Sequence, residues 1–520
     1  MDRQRFLLPA LALITVWRMA LLPTLELSPD EALAALYSRH LGDAWHLEMG
    51  PLVPWLARLG TMVAGGGEFG VRFFAPLCAF AVTVGLWRLC RGLFDATTAG
   101  WAVVLLQVLP GFNLAAVTMS SSIAGLAAVT GLVLALRIAL HRPSPWHSSW
   151  WLAALCLLLA MLADWRNGLA YFCCVLALGL PRRRRHHLWA PGGLLLAGAF
   201  ALGALWFLRW NLMHGWPVLQ GGGGRPVWTV LPNILRWIVL ASPLLLTLAA
   251  WALERTWRRE SHVPDIFFTV AFALPYAVLD FGWGPLERWP HTGFLLWLVL
   301  GTGLLAHHSL MSLQMPTRSK VVLRTLAAVI GALMSMVIMR TDLLRYLGLP
   351  WPMQQRSQPA RQWQQFFVAD PASDMQGWRE GAKLLAGMLY SSRNQEKQDV
   401  FVIAADWRIG VPLAFYLPPD TPMLRPSPDH PRVQALQQPG RANPLSLWPR
   451  YDSLHGTESA FRDHDALYVT DNAKAAQPPA LIRNAFERTQ LLSVAKVMHS
   501  GHEVRTLKIF ACHRYKPPDL

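Results

Sequence analysis

Six carboxylates crowd the stretch from Leu25 to Arg72: Glu26, Asp30, Glu31, Asp43, Glu48 and Glu68. Only 15% of the chain is charged, so that density needs a reason. A carboxylate beside an apolar segment can take a proton from a hydroxyl or hold a divalent cation through its oxygens. Ser28-Pro29-Asp30-Glu31 follows directly on the first apolar run, which places these acids at a membrane surface, facing the adjoining leaflet. The cationic and amide groups that would complement them come later. Arg72 closes the same stretch, and Arg166 lies in Asp164-Trp165-Arg166-Asn167. Asn211, His214, Gln220 and Arg225 share residues 209–230, and Arg288 and His291 share 280–291. Guanidinium matches phosphate bidentately, so these arginines suit a phosphate-bearing substrate. Each also has a plainer reading. Asp164 and Arg166 can neutralise each other, and Trp210, Trp216 and their arginines can simply anchor at an interface. Asn, His, Gln and Arg together on one loop are more than anchoring requires.

The elements that must position these groups are membrane helices. The chain has 520 residues, 53% of them hydrophobic, with a mean hydropathy of +0.29, which excludes an ordinary soluble globule. A helical span needs about 20 apolar residues. Runs near that length lie at 6–25, 71–87, 97–109, 117–139, 150–163, 168–180, 190–208, 231–253, 264–279, 292–306 and 321–339, about eleven spans. The first carries Arg3 and Arg5 ahead of it but lacks a small-x-small cleavage site after it, so it is read as retained. With the N-terminus inside, sixteen basic residues fall on the cytoplasmic side against seven outside, as the positive-inside rule expects. The net charge of +16 is then mostly topology, and the Arg182–Arg185 run is a site for anionic lipid, not nucleic acid.

Beyond Met339 the composition turns polar and proline-rich, with elements of soluble-domain size. We expect an amphipathic helix over 377–390, short buried strands at 400–404 and 466–469, a helix over 479–486 and a strand over 504–511. Five of the six cysteines lie in or beside apolar runs and Cys512 is alone in the tail, so no disulfide framework is expected. Pro110-Gly111-Phe112-Asn113 is expected to turn the chain, and Met119-Ser120-Ser121-Ser122 to open the next span without an acid.

Several of these motifs together resemble the polyprenyl-phosphate-dependent glycosyltransferases of family 39, the dolichyl-phosphate-mannose protein mannosyltransferase type, whose bacterial branch includes the lipid A aminoarabinose transferase. Asp30-Glu31 looks like the family's Asp-Glu after the first helix. Glu48-Met49-Gly50-Pro51-Leu52-Val53-Pro54-Trp55-Leu56 looks like its acid-His-Pro-Pro-Leu-x-x-Trp-Leu element, and Gly67 to Arg72 like its re-entry into the membrane. Trp210, Asn211, His214, Trp216, Gln220 and Arg225 resemble a Trp-Asn-x-x-His-x-Trp loop with its downstream Gln and Arg. Gly377-Trp378 and Leu413-Ala414-Phe415-Tyr416-Leu417-Pro418 resemble the bacterial branch's outer domain. Two positions depart from the pattern. Ser120-Ser121-Ser122 stands where the family often has an acid, and Asp164-Trp165-Arg166 where it commonly has a lysine.

The resemblance implies a polytopic α-helical membrane protein of the GT-C fold: a core over 1–340 with a catalytic first outer loop at 26–70, and a small periplasmic α/β domain over 341–520. It implies a bacterial inner-membrane enzyme moving a sugar from an undecaprenyl-phosphate type donor to a glycan, lipid or protein acceptor. Asp30 is then the general base with Glu31 beside it. Substrate contacts are expected from Glu48, Arg72, Arg166, Asn211, His214, Gln220, Arg225, Arg288 and His291. No metal or other cofactor is required, although Asp30, Glu31 and Glu48 are the acids to which a divalent cation would bind. Neither a Gly-x-Gly-x-x-Gly turn nor a Walker loop is present, so no nucleotide site is expected. The alternatives are a non-catalytic GT-C-like scaffold and a lipid or lipid-linked-sugar transporter. Against the transporter, the acids sit in loops and not mid-helix.

Overall fold

In the computed structural model the chain is described at residues 7–39, 41, 50–142, 144–213, 216, 243–260, 276, 292–312, 322, 329, 373–396, 399–425, 432–435, 461–472, 475–499 and 502–516. The helices, in chain order, are α1 (Leu7–Leu21), α2 (Pro29–Tyr37), α3 (Leu52–Ala64), α4 (Glu68–Arg72), α5 (Phe74–Leu93), α6 (Ala96–Val108), α7 (Pro110–Ala115), α8 (Ser121–Leu140), α9 (Ser148–Ala163), α10 (Leu169–Gly179), α11 (His186–Trp189), α12 (Pro191–Met213), α13 (Pro243–Glu260), α14 (Thr292–Ser312), α15 (Trp378–Glu396), α16 (Trp407–Tyr416) and α17 (Ala480–Ala485). The strands are β1 (Phe401–Ala404), β2 (Gln434–Ala435), β3 (Ala466–Thr470), β4 (Phe486–His499) and β5 (His502–Tyr515).

Chain contacts divide the molecule into two units. The first comprises Met1–Pro23, Ala44–Trp210 and Arg225–Arg340; the second comprises Thr24–Asp43, Asn211–Gly224 and Thr341–Leu520.

The first unit is a bundle of apolar helices, and the chain is a multi-pass membrane protein. Among the described residues, the helices Glu68–Leu93, Ser121–Leu140 and Pro191–Met213 are long and apolar enough to cross a bilayer. Shorter apolar helices at Leu52–Ala64, Ala96–Val108, Ser148–Ala163 and Leu298–His308 accompany them. The expected spans at 264–279 and 321–339 lie outside the described residues except at 276, 322 and 329. Polar residues set the helix starts. Asp95 Oδ1 accepts the Thr97 and Thr98 N–H groups at 2.6 and 2.9 Å to open α6, and Ser120 Oγ accepts the Ile123 N–H at 3.4 Å to open α8. One expectation is corrected here. Pro110 to Asn113 is not a turn but the start of α7, because Pro110 at the first helical position carries a φ already suited to a helix.

In the second unit the strand order is β2-β1-β3-β5-β4. The β1 strand pairs in parallel with β2 and β3, and β5 pairs antiparallel with β3 and β4. Alternate residues of the central strands go to opposite faces, as the two-residue period requires. Val402, Ala404, Leu467, Val469, Leu507 and Ile509 join one core with Trp378, Leu385 and Leu389 of α15 and Leu413 of α16. Phe401, Ile403, Ala466, Tyr468, Phe510 and Cys512 join another with Phe461, Ile482, Phe486 and Tyr515. Burial on both faces is why β1 and β3 read as unbroken apolar runs. All six cysteines are free.

Candidate functional site

The acids with the clearest placement sit on α2. Its N-cap is Ser28, with Pro29, Asp30 and Glu31 following as the first three helical residues. Ser28 Oγ receives the Glu31 N–H at 3.4 Å, and Glu31 Oε2 in return accepts the Ser28 N–H and hydroxyl, each at 3.0 Å. This is a capping box, and it satisfies donors that the helix itself cannot. Glu31 is 1% exposed and holds the helix start, whereas Asp30 is half-buried. Two carboxylates on a first turn also suit the positive end of the helix dipole. The rest of α2 buries Ala32, Leu33, Ala34, Ala35 and Tyr37, and the helix packs against α16 within the same unit.

Within the first unit, two motifs that are far apart in sequence come together. The Gly50 N–H donates to the Ala163 carbonyl at 3.1 Å, at the end of α9. A Cβ on Gly50 would lie 2.0 Å from the Leu162 carbonyl oxygen, so only glycine fits there. Asp164 follows immediately. Its Oδ1 caps the next turn by accepting the Arg166 N–H at 3.0 Å, and its carboxylate holds the Arg166 guanidinium, with Nη2 to Oδ2 at 2.6 Å and Nε to Oδ1 at 2.9 Å. The neutralising pair read from the sequence is thus formed. Nearby segments converge as well. Asn167 Nδ2 and Thr292 Oγ1 both crowd Gly125 of α8, Thr292 donates to the Ser122 carbonyl at 3.5 Å, and the Tyr276 hydroxyl donates to the Asn167 carbonyl at 3.3 Å.

Arg72, the last residue of α4, is fully buried, and its Nη1 donates to the Leu22 carbonyl at 3.2 Å, bracing the end of the first helical segment. Asn211 is buried in α12, where its carbonyl accepts the Trp216 N–H at 3.0 Å. Glu48, His214, Gln220, Arg225, Arg288 and His291 lie outside the described residues. Among the described residues no three His, Cys, Asp or Glu side chains gather for a metal ion.

Sequence reasoning missed a buried cation. Arg18 of α1 is 3% exposed and donates from Nη2 to Gln107 Oε1 at 2.6 Å and Asn113 Oδ1 at 2.8 Å, with the Phe112 ring 5.4 Å away. The amide nitrogens are spent elsewhere: Asn113 donates to the Gln107 and Leu109 carbonyls and Gln107 to Thr83 Oγ1. Both amide oxygens are therefore turned toward Arg18. A charged residue inside an apolar run was the available signal.

Residues 48–210 match the family described as dolichyl-phosphate-mannose-protein mannosyltransferase. No curated protein matches the chain in sequence. In three dimensions the chain superimposes on ArnT from Cupriavidus metallidurans in the apo state with a TM-score of 0.56 and 15% identity, covering 96% of each chain. The same protein bound to undecaprenyl phosphate gives 0.55 and 16%, covering 96% of this chain and 97% of the other. The chain has the GT-C fold. The resemblance drawn from the loop motifs therefore holds for a GT-C core of apolar helices and a small C-terminal sheet domain. At this identity the superposition establishes architecture.

Proposed function

We propose that the protein is a membrane glycosyltransferase of the bacterial cell envelope. It moves a sugar from a polyprenyl-phosphate donor to an acceptor hydroxyl on the periplasmic face of the inner membrane. The observation that carries this reading is Asp30: a half-buried carboxylate on the first turn of a short helix whose cap is supplied by Ser28 and Glu31, so that the helix does not need Asp30 to start. The undecaprenyl phosphate bound to the structurally similar ArnT supports the donor class. In the reaction the acceptor O–H gives its proton to the Asp30 carboxylate and its oxygen attacks the anomeric carbon. The bond from that carbon to the phosphate oxygen breaks, and the polyprenyl phosphate leaves with the electron pair. One displacement inverts the anomeric configuration. Cationic donors would stabilise the departing phosphate, and Arg72, Arg209, Arg225, Arg288, His214 and His291 form the pool, with Asn211, Gln220 and Glu48 on the sugar and acceptor. Arg166 enters that pool only by sharing its guanidinium with Asp164.

The deciding experiment supplies membranes containing the protein with a panel of radiolabelled polyprenyl-phosphate sugars. Transfer of one sugar to an endogenous acceptor is expected. The second reading, a non-catalytic GT-C-like scaffold, draws on the Asp164–Arg166 pair, which occupies a cation where the family resemblance expects a lysine. A panel without transfer from any donor would favour it.

The reading also fixes a side of the membrane. A reporter that fluoresces only in the cytoplasm, fused after Leu520, is expected to stay dark, because the basic loops favour an inside N-terminus and the apolar runs are read as eleven spans. A bright fusion would place the sheet domain in the cytoplasm. No divalent cation is invoked, since Ser120 caps α8 where the family often has an acid. Turnover is accordingly expected to survive chelation, and loss of turnover restored by a single divalent ion would contradict this.

A further inference from the structure

The residues that lead into α2 are tied to the C-terminal sheet domain, within the second unit. Glu26 Oε2 accepts the Trp378 N–H at 2.5 Å and the Arg379 N–H at 3.3 Å. These belong to the first turn of α15, whose N–H groups have no partner inside the helix. Gly377, at φ +82, turns the chain into that helix in a conformation that favours glycine. Trp378 is itself immobilised. Its ring is buried, its Nε1 donates to the Asp374 carbonyl at 2.7 Å, and the Arg505 guanidinium lies 3.6 Å from the ring centre. One residue after Glu26, the Leu27 N–H donates to the Tyr416 hydroxyl at 2.7 Å. Tyr416 ends α16, the helix on which α2 packs, and the Arg379 guanidinium lies 5.6 Å from its ring. Ser28 then closes the capping box. Consecutive residues immediately ahead of Asp30 are thus held by α15, by α16 and by α2 itself.

We propose that Glu26 and Tyr416 are positioning residues for sugar transfer: through them the C-terminal domain sets the orientation of α2 and so of Asp30. This rests on the reading of Asp30 as the base. Neither residue touches substrate; both act on where a carboxylate points. Misplacement of a reacting group by an ångström can cost about a hundredfold in rate, so a partial loosening of α2 should cost about ten- to a hundredfold.

The test uses the full-length protein in lipid nanodiscs and the variants Glu26→Ala, Glu26→Gln and Tyr416→Phe. Two readouts are taken: hydrogen exchange of the amides in 27–37, and transfer kinetics with the donor found active in the panel. In Glu26→Ala and Tyr416→Phe, exchange over 27–37 should quicken and kcat fall about ten- to a hundredfold, with the donor KM unchanged. Glu26→Gln keeps an acceptor oxygen at the same reach and should recover most of both. Unchanged exchange in both Glu26→Ala and Tyr416→Phe would overturn the proposal, and so would quickened exchange with wild-type turnover. A Glu26→Gln protein as impaired as Glu26→Ala would also overturn it, since charge and not position would then matter. A wild-type protein inactive with every donor, by contrast, refutes the enzyme reading itself, and exchange alone then reports whether the docking exists.

Discussion

Asp30→Asn is expected to lower turnover by about a hundredfold to ten-thousandfold, the usual worth of a general base, while expression and donor binding persist. Asparagine keeps the shape and removes the proton acceptor. A helix-capping role for Asp30 would make the same substitution harmless, because Asn caps about as well as Asp. That explanation is closed by the structure, in which Ser28 is the cap and Asp30 the second helical residue. Adjacent residues on a helix point about 100° apart, so Asp30 and Glu31 cannot share one role, and Glu31 is already engaged with Ser28. Glu31→Gln keeps an oxygen for the capping box and loses only the charge at the helix start, so it should act on stability, by about 0.3–1 kcal/mol, more than on the chemical step. Steady-state transfer assays with both variants decide it. Near wild-type transfer by Asp30→Asn, together with an inactive Glu31→Gln, would reverse the two roles. If neither variant loses activity, the enzyme reading fails.

Arg18→Met is expected to be the most destabilising of the conservative changes in the membrane unit. It leaves the buried Asn113 Oδ1 and the half-buried Gln107 Oε1 without the donor they face. A buried acceptor left without a partner costs about 1–3 kcal/mol, a penalty that falls in full on Asn113 and in part on the half-buried Gln107. The amides cannot simply turn over, because their nitrogens are committed to the Gln107 and Leu109 carbonyls and to Thr83. Arg18→Met combined with Gln107→Leu removes one of the orphaned acceptors along with the donor and should recover the smaller share of the loss. Thermal unfolding in detergent compares the two proteins. A single variant that melts with the wild type, or a double variant that melts below the single one, would show that Arg18 is not the donor on which these amides depend.

How much of this was legible in the sequence depends on distance along the chain. The α2 start was readable because Ser28, Pro29 and Glu31 are neighbours and their capping chemistry is local. The β1 and β3 strands were readable as short apolar runs, and the Asp164–Arg166 pair because a single residue separates its members. Expected element ends moved by a few residues: the helix predicted over 377–390 continues to Glu396, and the strand predicted over 504–511 spans His502–Tyr515. The β4 strand was missed altogether. A register irregularity between Leu491 and Ser493 leaves Leu491 and Leu492 both exposed, and the alternation that follows is masked because the exposed Val494 and Met498 are as apolar as the buried Ala495 and Val497. Glu26 was noticed as an acid but not as a helix cap, because the helix it caps begins 352 residues later. The Arg18 cluster joins α1, α6 and α7 through side-chain amides, which follow no period at all.

That separation between Glu26 and Trp378 also has a temporal side. Chains are synthesised at roughly 5–20 residues per second, so the acid-bearing segment emerges on the order of 20–70 s before the helix that will receive its carboxylate. Throughout that interval Glu26 and the Leu27 N–H have neither Trp378 nor Tyr416 to meet. Assembly of the loop is thus a late event in biogenesis, coupled to completion of a sheet whose last strand ends at Tyr515. A nascent chain released before Trp378 and Tyr416 are made carries its membrane helices and Asp30, yet lacks both contacts that hold the residues leading into α2.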